Sequence, residues 1–169
     1  MMKSISDIAG RWAPRVITGF TAAVFLDSLR FKFTDHPNTQ EIFGRLDDWA
    51  TSLGAPGLFD VTGLFSQYVI GTGELIASSL LIAGMLLPSY RFLQAVGAAI
   101  GVAIMSGAIS FHLFTPLGVD PNDDGGGLFV AACFVWLGSV TMLILRRKEL
   151  SLVAGRIAAL VRPHVPATA

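Results

Sequence analysis

The stretch "QYVIGTGELIASSLLIAGMLLPSYR", residues 67–91, decides the fold class of this chain. Its apolar part is long enough for a helix that crosses a hydrocarbon core of about 30 Å, which needs roughly 20 residues. Pro88 then ends the helix, and only "PSYR" separates it from the next apolar run. Two apolar runs with so short a link predict a tight antiparallel helical hairpin.

The rest of the chain shares this apolar character. Its 169 residues are 53% hydrophobic and only 14% charged, with a mean hydropathy of +0.63, whereas charged residues make up about a quarter of a soluble domain. Because lipid leaves exposed backbone groups without partners and no alternating strand pattern occurs, the sequence predicts an all-α membrane four-helix bundle. The four crossings are expected near residues 15–33, 62–87, 92–113 and 126–145.

The first of these runs differs from a cleaved signal peptide. It contains internal charges, and no small-residue cleavage site follows its apolar part, so we expect it in the mature protein. We therefore expect one transmembrane domain over residues 1–147, with an outer loop at 34–61, followed by a basic cytoplasmic tail at 148–169.

Charged residues segregate between the two ends of a four-crossing chain. By the positive-inside rule, the end that holds nine of the twelve basic residues is cytoplasmic, together with both termini, in a bacterial-type inner (plasma) membrane. Those residues are Lys3, Arg11, Arg15, Arg91, Arg146, Arg147, Lys148, Arg156 and Arg162. Eight of the twelve carboxylates then lie at the outer end, namely Asp35, Glu41, Asp47, Asp48, Asp60, Asp120, Asp123 and Asp124.

Two further helices are predicted outside the crossings. In the outer loop, Asn38 with Glu41 three residues later predicts an N-cap, and an apolar stripe at helical spacing follows. That stripe consists of Ile42, Leu46, Trp49 and Leu53, ahead of Gly54 and Pro56. In the tail, Leu150, Val153, Ile157 and Leu160 share one face among arginines, which is typical of an interfacial helix.

Polar side chains within the crossings are the candidate functional residues, because lipid makes them costly. Gln67, Glu74 and Ser78 lie on one face of the second crossing, and Glu74 is roughly 15 Å from its outer end at 1.5 Å per residue. His112 lies near the outer end of the third crossing, and "GAAIG" at residues 97–101 of the same crossing permits close helix contact. We expect a polar, ligand-binding cavity in the outer half, formed by Asp27, Arg30, Gln67, Glu74 and His112.

Each of these residues also has a structural interpretation. Asp27 and Arg30, one helical turn apart, can form a local ion pair, and His112 can hydrogen-bond a loop. The lone Cys133 excludes a disulfide within the chain and fits a small apolar position. His36 and His164 lie in a loop and a tail, so no metal or haem site is predicted.

The turn "DPNDDG" at residues 120–125 follows the first half of a calcium-loop pattern. Asp120, Asn122, Asp124 and Gly125 fit positions 1, 3, 5 and 6, but Ala131 stands where the bidentate glutamate is needed. Pro116 and Pro121 instead indicate a turn between two helices. We expect either Asp123 or Asp124 to cap the fourth crossing.

Three motifs carry a family resemblance over roughly residues 14–147. They are "GTGELIASSLLIAGML", "LRFKFTDHPNTQEIF" and "GAISFHLFTPLGVDPNDDGGGLF", and with them the chain resembles the DoxX/DoxD-like integral membrane proteins, in particular an uncharacterised DoxX-like subgroup. The wider family includes a small subunit of a thiosulfate:quinone oxidoreductase and membrane partners of thiol and superoxide defence enzymes. The fold also resembles the quinone-reactive bundles of the vitamin K epoxide reductase type, although their paired cysteines are missing here.

The resemblance supplies no catalytic residues, and it implies an accessory or anchoring subunit of a quinone-linked membrane redox system. A quinone or a lipid is the cofactor that it suggests, and a membrane redox protein or a second copy of the chain is the suggested partner. An oligomeric small-molecule or proton-coupled transporter and a non-catalytic scaffold are the alternatives. No basic groove with aromatic side chains indicates nucleic-acid binding.

Overall fold

The computed structural model describes residues 5–161 and the side chains of residue 10 and residues 12–155. Within this range the chain is all helical, with six α-helices and no strands. They are α1 (Ile5–Lys32), α2 (Pro37–Ser52), α3 (Gln67–Leu86), α4 (Phe92–Phe114), α5 (Gly127–Leu145) and α6 (Arg147–Val161).

The helices α3, α4 and α5 are each long and apolar enough to span a membrane, judged by length and composition. They begin and end close to the predicted second, third and fourth crossings. The start of α3 is later than predicted, because Ser66 caps it by accepting a hydrogen bond from the amide of Val69 at 3.3 Å. Pro88 begins a single 3₁₀ turn, Pro88–Tyr90, so the predicted α3–α4 hairpin is confirmed.

The first helix, α1, is 28 residues long and is not among the three helices that meet the membrane-spanning criterion. It starts ten residues before the predicted run at 15–33. The apolar pattern locates the residues that suit lipid, and a helix can extend beyond them. Its charged residues Asp27, Arg30 and Lys32 lower its hydropathy near the C-terminal end.

Four helices nevertheless pack as a ring in which α1 contacts α3 and α5, and α4 contacts α3 and α5. One buried cluster draws on all four: Phe25 from α1, Ala77 from α3, Met105 from α4, and Ala132 and Val135 from α5. Small residues set the spacing between helices. A Cβ atom on Gly97 would lie 2.7 Å from the carbonyl oxygen of Ala77, closer than real Cβ atoms come.

The helix α2 packs across the end of this ring that carries the α4–α5 turn, which we name the α2 end. Its buried residues Leu46 and Ala50 contact Phe59 and Leu117, with Phe111 of α4 beneath them. The predicted helix is therefore present, but its predicted N-cap was wrong. His36, not Asn38, is the N-cap, because Pro37 takes the first helical position and the His36 ring nitrogen Nδ1 accepts from the Asn38 amide at 3.2 Å.

Leu53 is the last residue of the predicted apolar stripe. It stands at the C-cap of α2 with 67% of its surface exposed, so the buried stripe ends before it. At the opposite end of the ring, which we name the α6 end, α6 follows α5 almost directly and packs against the ends of α4 and α5. The predicted face residues Ile157 and Leu160 have side chains outside the described range.

The contact at Gly97 predicts a sharp dependence of stability on one methyl group. We expect Gly97→Ala to destabilise the bundle by about 1–3 kcal/mol, because the methyl group overlaps the α3 backbone. A drop of several degrees in the detergent-solubilised melting temperature, followed by tryptophan fluorescence, measures this effect. Gly107→Ala on the same helix is the control, since only the ring of Phe111 lies within 4 Å there. Equal melting temperatures for the two variants would refute the close-packing argument.

Candidate functional site

Glu74 is the most deeply buried carboxylate whose contacts are described, with 2% of its surface exposed. It lies on the face of α3 that packs against α1. The ammonium group of Lys32 on α1 is 3.1 Å from its Oε1 atom, and the Ser28 hydroxyl donates to its Oε2 atom at 2.8 Å. Lys32 also donates to the Ser28 hydroxyl. A charged carboxylate is costly in apolar surroundings. Residues of α1 bind both oxygens of the Glu74 carboxylate and so offset this cost.

A second polar layer lies next to this ion pair at the start of α3. The side-chain amide of Gln67 donates to the Lys32 carbonyl oxygen at 2.8 Å and to Oδ1 of Asp35 at 2.5 Å. The Tyr68 hydroxyl donates to the same Asp35 oxygen at 2.6 Å, and Gln40 of α2 donates to Gln67 Oε1 at 2.9 Å. We name Ser28, Lys32, Asp35, Gln67, Tyr68 and Glu74 the α1–α3 polar cluster. It fastens the C-terminal end of α1 to α3.

Asp27 and Arg30 stand apart from this cluster. Their side chains form an ion pair of 3.0 Å, but they are 60% and 69% exposed. The Arg30 guanidinium also lies over the ring of Phe31, at 4.7 Å from the centroid. These two residues therefore form the local pair that their spacing suggests, and they do not contribute to a buried cavity.

His112 is buried but serves a different contact. Its Nδ1 atom is 2.6 Å from the carbonyl oxygen of Gly118, and because a carbonyl only accepts, Nδ1 carries the proton. Its ring packs edge-on against Phe129 of α5, at 5.7 Å between centroids. The imidazole thus ties the end of α4 to the α4–α5 turn. Of the five predicted cavity residues, the structure brings only Gln67 and Glu74 into one network.

Four members of the α1–α3 polar cluster were not predicted as site residues, namely Ser28, Lys32, Asp35 and Tyr68. Ser28 and Lys32 are spaced i and i+4 on α1, which places both side chains on one helical face, and that spacing was the available signal. Asp35 gave no comparable signal, because it lies beyond the helix in a left-handed conformation with φ of 53°. Only the folded backbone turns its carboxylate back toward α3.

A second buried polar group, also unforeseen, lies at the α6 end. Gln94 of α4 is 1% exposed, its amide nitrogen donates to the Thr18 hydroxyl at 3.0 Å, and its oxygen accepts from Arg146 at 2.8 Å. Arg146 also pairs with Glu149 at 3.3 Å. These contacts join α1, α4 and the α5–α6 junction.

The acidic turn at residues 120–125 holds the start of α5. Asp124 accepts hydrogen bonds from the amides of Gly126 and Gly127 through Oδ1 and from Leu128 through Oδ2, at 2.9–3.1 Å. Asp120 accepts from the Asp124 amide at 2.7 Å, so its carboxylate is part of the turn itself. Asp123 makes no side-chain hydrogen bond to any described residue. Among the residues that the structure describes, no group of three His, Cys, Asp or Glu side chains could hold a metal ion.

The Asp124 contacts shift the titration of its carboxyl group. Loss of surrounding water would by itself raise the pKa of Asp124, but the amides of Leu128, Gly126 and Gly127 bind the charged form and hold the pKa below its ordinary value. A lowered pKa in the folded protein means that the carboxylate stabilises the fold above about pH 4. This contribution is lost as the pH falls through the lowered pKa.

No protein-family model, curated protein or solved structure matches this chain. Over residues 5–161 the chain is all helical, with three helices suited to a membrane and a buried ion pair in its interior.

The ion pair predicts a strong asymmetry between single and double substitutions. We expect Glu74→Leu alone to cost about 3–5 kcal/mol of unfolding free energy, because it leaves the Lys32 ammonium buried without its partner. Lys32→Met combined with Glu74→Leu is expected to regain most of that loss, since an apolar pair needs no charge compensation. Denaturant unfolding in mixed micelles measures both. Additive losses in the double variant would show that the two charges are not coupled.

The Asp124 contacts predict a loss of stability on substitution of this carboxylate, and this loss depends on pH. Asp124→Asn removes the charge and one of the three amide contacts, so we expect a loss of about 1 kcal/mol at pH 7. The difference from the unmodified protein should begin to shrink below about pH 4 and should be lost as the pH falls through the lowered pKa of Asp124. Melting temperatures between pH 3 and pH 7 measure it, with Asp123→Asn as the neighbouring control. A constant difference across this range would contradict the role given to the charge.

Proposed function

We propose that this chain is a four-crossing membrane protein and a non-catalytic anchoring subunit of a quinone-linked redox system. In this arrangement α1 is the first crossing, the α6 end and both termini face the cytoplasm, and the α2 end faces outward. The concentration of basic residues at the α6 end supports this orientation. The ring in which α1 packs against two of the apolar helices supports the fourth crossing.

The observation that carries the anchoring role is the saturation of the α1–α3 polar cluster. Glu74 binds Lys32 and Ser28, and Asp35 binds Gln67 and Tyr68, so each strong donor is already directed to a carboxylate of the same chain. A quinone head group needs donors for its carbonyl oxygens. In this arrangement the cluster does not fit a quinone, and it suits a rigid helix-to-helix fastening.

The remaining chemistry of the chain points the same way. The one cysteine, Cys133, lies part-buried on α5. A single thiol cannot form a disulfide relay within one chain, which separates this protein from membrane thiol oxidases. We therefore place electron transfer in a partner enzyme, with this chain holding that partner at the membrane. The DoxX-like resemblance is the basis for a quinone-linked partner.

The outward-facing α2 end is the surface that we assign to the partner. It exposes Glu41, Asp48 and Asp60. The Nε atom of Arg45 forms an ion pair with Oε1 of Glu41 at 2.6 Å. A basic surface on the partner would complement it, and the association would weaken at high ionic strength.

The test is a comparison of membranes with and without this chain. We expect an oxidoreductase to co-purify with the affinity-tagged chain in mild detergent, and quinone reduction by these membranes to fall when the chain is deleted. Restored activity with the unmodified chain and with Cys133→Ala would place the chemistry in the partner. Asp48→Lys combined with Asp60→Lys should lose the partner while the chain remains in the membrane. Unchanged quinone reduction after deletion would overturn the proposal.

A transporter is the second candidate, and the buried Lys32–Glu74 pair is the observation that favours it. Loss of the Glu74 charge would remove its pairing with Lys32 and loosen the α1–α3 contact, which is a change that a carrier needs. Four crossings are few for a monomeric carrier, so this candidate requires an oligomer. Proton-dependent uptake by reconstituted protein that Glu74→Gln abolishes would favour the transporter over the anchoring subunit.

A further inference from the structure

Two hydroxyl groups in the interior of the bundle have no hydrogen-bond partner among the described residues. They belong to Thr21 of α1, which is fully buried, and Ser139 of α5, which is 1% exposed. The hydroxyls of Ser78, Ser79 and Thr141 differ, since each donates to the carbonyl oxygen four residues earlier at 2.8 Å. A buried hydroxyl without a partner is costly, so native proteins satisfy such groups with a protein group or a bound molecule. Thr21 and Ser139 therefore indicate a ligand inside the bundle.

The two hydroxyls lie at nearly the same level of the bundle. Thr21 faces Gly138 of α5, because a Cβ atom on that glycine would lie 3.8 Å from the Thr21 hydroxyl oxygen. Ser139 is the next residue, about 1.5 Å further along the helix axis. Its hydroxyl oxygen is directed at α4, where a Cβ atom on Gly101 would lie 2.8 Å from it. The two glycines thus keep the space beside these hydroxyls free of their own side chains.

A third hydroxyl, that of Thr18, lies one helical turn before Thr21 on α1. It accepts a hydrogen bond from the side-chain amide of Gln94 at 3.0 Å and donates to none of the described residues. Gln94 in turn accepts from Arg146 at 2.8 Å. A hydrogen-bonded chain therefore runs inward from the α6 end and stops at Thr18, one turn from a hydroxyl that has no partner.

Apolar side chains enclose these hydroxyls. Val135 and Met142, one turn before and one turn after Ser139, have no exposed surface. Phe25 is 1% exposed and packs in the same buried cluster as Val135, toward the α2 end. Met142 belongs to a second buried cluster, toward the α6 end. A ligand at this level is therefore shielded from bulk solvent and has to be small and polar.

We propose that a water molecule is bound inside the bundle between Thr21 and Ser139, with the Thr18 hydroxyl as its third partner. Buried water molecules typically make about three hydrogen bonds to polar groups that otherwise lack partners. This water joins α1 to α5, as the Lys32–Glu74 pair joins α1 to α3. It also extends the hydrogen-bonded chain of the α6 end to the interior of the bundle. The site does not depend on a redox partner.

A cation and an apolar group fit this site less well. The buried carboxylate of Glu74 is already paired with Lys32, so a cation beside the hydroxyls would lie in apolar surroundings without a counter-charge. An apolar group would leave the hydroxyls without hydrogen bonds. Water is neutral and both donates and accepts, which matches the donor and acceptor capacity of a hydroxyl group.

Radiolytic labelling tests for this water directly. The full chain in detergent is equilibrated with water enriched in oxygen-18 and exposed to a brief X-ray pulse, which turns a bound water into a hydroxyl radical that oxidises the nearest side chains. We expect oxygen-18 in Phe25, although it is shielded from bulk water. Thr21→Val combined with Ser139→Ala should reduce this label to the background level, because both main partners of the water are removed. Peptide mass spectrometry measures the label.

Ser78→Ala is the matched control for the labelling. Ser78 is as fully buried as Thr21, but its hydroxyl already donates to the Glu74 carbonyl oxygen at 2.8 Å. The control should therefore keep the Phe25 label. A missing label in the unmodified chain, or an equal label in the double variant, would overturn the proposal.

Melting temperatures supply a second measurement. Thr21→Val and Ser139→Ala each preserve the shape of the side chain and remove one partner of the water. Each should lower the melting temperature by roughly 2–4 °C, because the other hydroxyl then loses its bridge. The double variant should fall no further than either single variant, because the site is then apolar throughout. Circular dichroism and gel filtration establish that each variant is folded.

Two results of this measurement would contradict the proposal. A rise in the melting temperature of the single variants would mean that no molecule satisfies these hydroxyls, since removing an unpaired polar group is then favourable. Additive losses would mean that each hydroxyl is satisfied separately within its own helix. Because no redox partner is present in either experiment, a failure here is distinct from a failure of the anchoring role.

Discussion

The Lys32–Glu74 ion pair is the contact on which the placement of α1 depends. A carboxylate within the apolar half of a helical hairpin is stable only when a cation or several donors bind it. Lys32 and Ser28 meet that need from α1, and the pair therefore selects which helix lies beside α3 and in which register. A shift of α1 by one residue would rotate these side chains by about 100° and leave Glu74 without its partners.

The rest of the bundle is consistent with this register. Phe25 lies one turn before Ser28 on α1 and enters the core formed with α3, α4 and α5. Thr18, on the same α1 face, reaches Gln94 at the α6 end. The hydrogen-bonded contacts thus lie at the two ends of the α1 interface, with the packing of Phe25 between them. Such an arrangement orients a helix without placing unpaired charge in the middle of the bundle.

This arrangement also explains why the proposed functions lie at the periphery of the bundle. The strongest donors and acceptors in the interior are already paired with each other, which leaves the carboxylates of the α2 end and the cations of the α6 end to interact with other molecules. A protein whose buried charges are paired and whose two ends differ in charge is suited to holding partners in a fixed orientation.

Local sequence signals predicted the helical class, the α3–α4 hairpin, the helix in the loop at residues 34–61 and the bounds of the three most apolar helices, apart from the start of α3. They could do so because apolar run length and proline act locally along the chain. Only the tertiary structure decided that Glu74 pairs with Lys32 and not with Arg30, that Asp35 turns back onto Gln67, and that His112 binds the α4–α5 turn. Those choices depend on helix rotation and on the path of the chain after a helix ends, and a linear pattern of residues leaves both undetermined.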